Sequence, residues 1–177
     1  MIKTIKSDVV YKNNWISVEK DQVLFPDGSI GEYGVVRHHS KSVVVLVKLA
    51  EKILLVQAYR YVNQSYSLEL PAGVIEEGES PIEAARREVM EETGLLIHDC
   101  NVLTHYYPSN GVSDQVIYVV MAKCNNMDSC PDNNEIDEII YMTESEISNK
   151  IIDNTINDGP SILAWSYYVL ARSMETI

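Results

Sequence analysis

The chain has 177 residues, enough for one domain with a sizeable core. Its 14 basic against 26 acidic residues leave a formal charge of −12, a surface that repels nucleic-acid phosphates and argues against a duplex-binding role. No apolar run approaches the roughly 20 residues of a membrane-spanning helix, and Met1 to Lys6, without a long apolar stretch or a small-residue cleavage site, are not expected to act as a secretory signal. Three irregularly spaced cysteines, Cys100, Cys124 and Cys130, suit reduced thiols better than a disulfide frame or a zinc site. The expectation is a cytoplasmic protein with neither a membrane nor a nucleic acid as partner. A polyanionic small substrate would also be repelled unless the site carried positive charge of its own, a first pointer to bound cations.

Lys3 to Val10 and Ile16 to Leu24 read as strands, the second closed by the turn residues Pro26-Asp27-Gly28-Ser29. Tyr33 to Arg37 leads into Ser42 to Leu49, where Val43-Val44-Val45-Leu46-Val47 has the pattern of a buried strand. A polar break, Ala50-Glu51-Lys52, leads into Ile53 to Tyr59, so these two strands should pair as a hairpin. The clearest helix is Pro81 to Thr93. Ser80 and Glu83 form a capping box, Pro81 takes the first helical position, and Gly94 is placed to end it. Val102 to Tyr107 and Gln115 to Ala122 read as strands flanking Pro108-Ser109-Asn110-Gly111. Asn125 to Asn134 reads as a loop by composition, Ile136 to Met142 as a strand, and Glu144 to Lys150 as a short helix. Ser161 to Arg172 forms an amphipathic helix after Gly159-Pro160. Strands first, split by a helix and closed by helices, argue for an α+β or mixed α/β fold rather than a doubly wound sheet.

The chemistry concentrates in GVIEEGESPIEAARREVMEETGL, from Gly73 to Leu95. On the predicted helix Glu88, Glu91 and Glu92 stand at i, i+3 and i+4, so three carboxylates share one face. Like charges at that spacing repel, and two explanations remain open: a solvated acidic face, or a face turned toward a divalent cation. Carboxylate oxygens are the preferred ligands of Mg²⁺ and Mn²⁺. Arg87 can pair with Glu91, and Arg86 with Glu83. The preceding Leu70-Pro71-Ala72-Gly73-Val74 reads as a tight apolar turn. Gly73 and Gly78 permit backbone that a side chain would forbid, or a close approach to a ligand.

The segment resembles the Nudix box, G-x5-E-x7-R-E-U-x-E-E-x-G-U with U a bulky aliphatic residue. Every specified position is filled at its spacing: Gly73, Glu79, Arg87, Glu88, Val89, Glu91, Glu92, Gly94 and Leu95. The resemblance implies an α/β/α sandwich with a mixed sheet, here preceded by N-terminal antiparallel strands over residues 1–40, with the Nudix domain over 41–177. It implies Mg²⁺- or Mn²⁺-dependent hydrolysis of a nucleoside diphosphate linked to another moiety. Glu88 and Glu92 are then the principal metal ligands, and Glu91 a third ligand or the base for the attacking water. Arg87 holds a box glutamate, Glu79 supports Arg87, and the Ala72 carbonyl is a backbone ligand.

Outside the box, Tyr59-Arg60-Tyr61 with Leu68-Glu69-Leu70-Pro71-Ala72-Gly73 resembles the ADP-ribose pyrophosphatase branch and its nucleotide-sugar relatives. So does the N-terminal layout of Trp15-Ile16-Ser17-Val18 and Phe25-Pro26-Asp27-Gly28. The branch implies cleavage of ADP-ribose to AMP and ribose 5-phosphate, and a homodimer that can exchange its N-terminal strands. Arg60 and Glu69 are expected at the substrate. Trp15 either stacks on a base across the dimer or lies in the core. Glu135 is the expected general base, with Glu138 second. Asn110 stands where ADP-ribose members usually carry the proline of Ser-Pro-Gly, which leaves room for another nucleoside-diphosphate sugar such as a GDP-hexose. A Nudix-fold sensor that does not hydrolyse is the alternative of a different class. All four box glutamates argue against it.

Overall fold

A computed structural model of the chain describes residues 1–125, 135–174 and 176. The expected loop at 125–134 therefore lies, from residue 126 on, outside the described residues. The chain divides into two compact units, one of residues 1–41 with 106–116 and one of 42–105 with 117–177.

The first unit is an antiparallel meander of β1 (Lys3–Lys12), β2 (Ile16–Leu24) and β3 (Ile30–His38) in that spatial order. Strand β3 is longer at both ends than the sequence suggests, because the turn is compact. Phe25 N–H donates to the Ser29 carbonyl at 2.9 Å, and Gly28 takes the positive φ of 86° that glycine tolerates. Register runs unbroken from Ile16 opposite His38 to Leu24 opposite Ile30. The segment 106–116 docks on β3 through Val36 N–H to the Val112 carbonyl (2.8 Å) and His38 N–H to Asp114 Oδ1 (2.8 Å). Arg37 draws in Glu19 (3.1 Å), Asp114 (3.6 Å) and the buried Asp21 (3.7 Å).

The second unit is a mixed sheet of order β10-β5-β4-β9-β8: β4 (Ser42–Leu49), β5 (Lys52–Arg60), β8 (Ile97–Tyr106), β9 (Ile117–Cys124) and β10 (Ile136–Thr143). Two short strands, β6 (Ser65–Glu69) on β5 and β7 (Ala72–Val74) on β4, extend it. Strand β4 runs parallel to β9 and antiparallel to β7, so its hairpin with β5 is hydrogen-bonded only at the turn, Lys48 opposite Ile53 and Leu49 opposite Lys52. Every residue from Val43 to Val47 is fully buried, the pattern of a strand covered on both faces. Val43, Val45, Val47 and Leu49 share a core with Ala84, Ala85 and Val89 of helix α1 (Pro81–Thr93). By the period of two, Val44, Leu46 and Lys48 face the other way, toward α2 (Glu144–Ile152) and α3 (Gly159–Ser173). There Glu144 ties the layer together, accepting from Tyr168 Oη (2.9 Å) and Arg172 and lying 3.7 Å from Lys48 Nζ. The result is the expected α/β/α sandwich.

Two expectations change. The stretch read as a tight turn contains strand β7, because Gly73 is extended and pairs with Val43. Strand β8 begins at Ile97, five residues before the expected Val102. Its polar start, His98-Asp99-Cys100-Asn101, hides it, and Asp99 takes φ 50° within an edge strand that faces less apolar surroundings.

Candidate active site

Helix α1 is set by its ends. Ser80 Oγ accepts from Glu83 N–H (3.3 Å), Glu83 Oε2 accepts from Ser80 N–H (2.8 Å), and Gly94 closes it at φ 73°. With Ala84, Ala85 and Val89 on the sheet, the helix turns Arg87, Glu88, Glu91 and Glu92 toward β7 and the loop that follows it. Arg87 is the hub of that side. Its Nε and Nη2 donate to the two oxygens of Glu79 (2.9 and 3.0 Å), and Nη1 to Glu88 Oε1 (2.9 Å) and Glu91 Oε2 (3.2 Å). Nη2 also reaches the Val74 carbonyl at 2.8 Å. Guanidinium geometry permits this fork, and a lysine could not replace it. The Glu79 hydrogen bonds raise the Arg87 pKa, and the guanidinium in turn holds Glu79 below the usual carboxylate range.

The residues before the helix are tied down one after another. The Leu70 N–H donates to Ser161 Oγ (2.8 Å), and the Pro71 carbonyl accepts from Val45 N–H (2.8 Å). The Ala72 backbone amide lies near the Glu92 carboxylate and favours its charged form. Gly73 leaves room for Glu88, since a Cβ there would lie 2.0 Å from the Glu88 carboxyl carbon. The close approach at Gly73 is thus made by a box side chain. Gly78, by contrast, is needed for its φ of 89°.

Two of the three same-face glutamates are removed from water. Glu92 is only 9 % exposed, and its Oε2 has no hydrogen-bond partner among the described residues. Burial, then the neighbouring Glu88 charge, pushes its pKa up to about 8. Burial also raises Glu88, against the pull of Arg87. Glu91 is exposed. A carboxylate pair this poorly solvated is costly as two anions, and a cation offsets such a cost.

Beside this face opens a cleft of about 850 Å³ lined by Tyr59, Arg60, Tyr61, Ser67, Glu69, Glu135, Asp137 and Asn157, among others. Arg60 forms a bidentate pair with the buried Glu69, Nε to Oε1 at 2.9 Å and Nη2 to Oε2, which raises the Arg60 pKa. Arg60 and Glu69 lie within electrostatic range of Glu92. The second unit therefore gathers Arg60, Glu69, Glu79, Arg87, Glu88, Glu91, Glu92 and the Ala72 backbone around one region, with Glu135 at the cleft. Glu138 lies on β10 opposite Gln57, exposed. Trp15 is 68 % exposed at the turn between β1 and β2, so the reading of it as a core residue is wrong. Asn13 Oδ1 takes the Trp15 N–H (2.8 Å) and holds that turn open to water. Asn110 belongs to the first unit, in a pocket with Tyr33, Arg37 and Tyr107.

Comparison with known proteins agrees with this geometry. Residues 38–165 match the family model described as the NUDIX domain. The chain belongs to the Nudix family. Residues 2–36 match a second model, the nucleoside diphosphate sugar hydrolase N-terminal domain. Two relatives are each 28 % identical over 98 % of this chain and 95 % of their own: a methanol dehydrogenase activator from Bacillus methanolicus and an ADP-ribose pyrophosphatase from Bacillus subtilis. A crystal structure of an ADP compounds hydrolase superposes with a TM-score of 0.83 at 20 % identity, covering 99 % of this chain and 97 % of that one. This likeness shows a shared Nudix fold. The chain is a Nudix pyrophosphohydrolase, and hydrolases of the family generally use divalent cations.

Among the described residues no three histidine, cysteine or acidic side chains converge on one point as a closed metal site. Arg87 holds Glu88 and Glu91, while Glu92 faces the Ala72 N–H. The Nudix box nonetheless fits a hard cation. Its donors are all oxygens, Glu92 Oε2 is buried without a partner, and Gly73 keeps the Glu88 position clear. Asp158 and Ser161 were missed by sequence reasoning. The signal was present in Asp158-Gly159-Pro160-Ser161, an N-cap, a proline in the first turn and a serine three residues on. Asp158 indeed caps α3, accepting from Ser161 N–H at 2.8 Å. No helix of the described residues is long and apolar enough to cross a membrane.

Proposed function

We propose that this chain hydrolyses the pyrophosphate of a nucleoside diphosphate sugar, with ADP-ribose, cleaved to AMP and ribose 5-phosphate, as the foremost substrate. The observation that carries the reading is Glu92: a buried, partly unsatisfied carboxylate beside Glu88, within range of an arginine in a cleft. Glu88, Glu92 and the Ala72 carbonyl would hold Mg²⁺ or Mn²⁺, with Glu91 as a third ligand. Such a cation, when bound, would offset the diphosphate charge and lower the pKa of water, so that hydroxide would be available near neutral pH.

The chain's own groups do the rest. Arg87 fixes the direction of Glu88 and Glu91, and Glu79 fixes Arg87. Arg60, presented at the cleft by Glu69, binds phosphate oxygens, and bidentate pairing suits a guanidinium for this. Glu135 accepts the proton of the attacking water from the cleft side. Trp15, exposed at the turn between β1 and β2, stacks on a base across a dimer. The dimer itself is supported by β1, which is exposed along its whole length and carries Ile2, Ile5, Val9, Val10 and Tyr11 at or beside it. Light scattering coupled to gel filtration tests it, and a monomer at micromolar concentration removes it.

A panel of ADP-ribose and ADP-, GDP- and UDP-sugars, incubated with Mg²⁺, Mn²⁺ or EDTA and read by released monophosphate, tests the reaction. The proposal fails if no compound is cleaved faster by the wild type than by a Glu91→Gln/Glu92→Gln variant. Another nucleotide sugar, such as a GDP-hexose, is the second reading, and Asn110 in place of a turn proline is the observation that favours it.

A further inference from the structure

We propose that Ser161, oriented by Asp158, is a positioning residue of the cation site, acting across the fold through the backbone of Leu70 to Ala72. The inference rests on the cation-site reading given above. Ser161 is 2 % exposed in the first turn of α3. Its Oγ donates to Asp158 Oδ2 at 2.7 Å and accepts from the Leu70 N–H at 2.8 Å. A hydroxyl has one donor. With that donor engaged by Asp158, only oxygen lone pairs remain toward Leu70, so Asp158 dictates the polarity of the contact.

Leu70 is itself 3 % exposed, and its N–H lies in the short link between β6 and β7. Next to it the Pro71 carbonyl is fixed to the Val45 N–H of the central strand at 2.8 Å, and Ala72 pairs with Val44 of the same strand. The three consecutive residues are thus held by α3 at Leu70 and by β4 at Pro71 and Ala72. Proline has no φ freedom with which to absorb a shift at Leu70. Helix α3 is a rigid support because Ala164, Trp165, Tyr168 and Ala171 are buried. Metal sites depend on such outer hydrogen bonds, which orient the ligands, and losing one typically weakens metal affinity or activity about 10- to 100-fold.

Ser161→Ala removes the hydroxyl and leaves the Leu70 N–H unsatisfied. Mn²⁺ binding by electron paramagnetic resonance, a readout independent of turnover, should show a Kd about tenfold higher than wild type. In the Mg²⁺ assay kcat should fall by a similar factor with KM for the nucleotide sugar within about twofold, the pattern of a lost ligand orientation rather than a lost substrate contact. Thermal melting and circular dichroism establish that the variant is folded. A folded Ser161→Ala protein with wild-type Mn²⁺ affinity overturns the proposal while leaving the cation site intact. A wild-type protein that binds no Mn²⁺ overturns both. Should Ser161→Ala not fold, the pair Asp158→Ala and Asp158→Asn decides. Asparagine keeps an acceptor for the hydroxyl and alanine does not, so Mn²⁺ affinity lower in Asp158→Ala than in Asp158→Asn supports the proposal, and equal affinities overturn it.

Discussion

Replacing Glu92 by glutamine should make the cation-free protein more stable near neutral pH while removing its response to divalent cations. Glu92 titrates at about 8 in the folded chain against 4.5 for an ordinary glutamate, chiefly because it is buried. Below pH 4.5 both folded and unfolded forms carry the proton, and the folded state pays no charge-burial penalty. As pH rises from 4.5 toward 8 the unfolded chain ionises while the folded chain must stay protonated, so stability is progressively lost and levels off above about 8. At pH 7 the gap from 4.5 is about 2.5 units, an upper bound of about 3.4 kcal/mol at about 1.36 kcal/mol per unit. Glutamine is neutral at every pH, but brings an amide donor where Oε2 has no partner. That offsets about 1 kcal/mol, leaving a net stabilisation of about 2 kcal/mol. Urea unfolding in EDTA, followed by tryptophan fluorescence, measures it. At pH 7 the variant should unfold at higher urea, and the difference should shrink toward pH 5. Saturating Mg²⁺ should stabilise wild type and not the variant, reversing their order. A variant less stable than wild type in EDTA at pH 7, or a gap that does not change with pH, refutes the argument that Glu92 is an uncompensated buried carboxylate.

Gly73→Ala should cost little melting temperature, because the nearest atoms its Cβ meets are the far end of the Glu88 side chain, yet lower kcat about 100-fold by displacing that carboxylate from Arg87. Steady-state kinetics beside a thermal melt separates the two. Arg87→Lys keeps the charge but cannot serve Glu79, Glu88, Glu91 and Val74 together, so kcat should drop about 10- to 100-fold with a smaller change in KM. Arg60→Ala should raise KM for the nucleotide sugar about tenfold or more with intact Mn²⁺ binding, as measured in the same assay. Unchanged KM would remove Arg60 from the substrate contacts.

The parts legible in the sequence are those specified locally. Helix α1 carries its capping box, its proline and its terminal glycine within one short window, and the structure realises each of them. Strand β4 announces itself as an unbroken aliphatic run because both its faces are covered. The site was legible as a motif, since Glu79, Arg87 and the three glutamates sit on or just before one helix. What stayed hidden depends on partners far away in sequence. Strands β6 and β7 are too short, and too interrupted by Pro71, to show a period of two, and exist because β5 and β4 present open edges to them. Ser161 lies 91 residues from the amide it accepts. The exposure of Trp15 follows from a turn pinned by Asn13, where composition alone favours burying an indole.

The braces around Arg87 give the spacing of the box a geometric meaning. Glu79 is gripped at both ends of a short arc, Oε2 by the Glu76 N–H at 3.0 Å and both oxygens by Arg87. Gly73, at the arc's start, lies under Glu88, the residue next to Arg87. The stretch from 73 to 88 is therefore a closed circuit fastened at two adjacent rungs of one helix. Lengthening an open surface loop by one residue costs little entropy. Here the same insertion, between Gly73 and Glu79, could satisfy one fastening only by missing the other. The intervals written into the motif act as a ruler, and the loop can vary in what residues it holds far more readily than in how many.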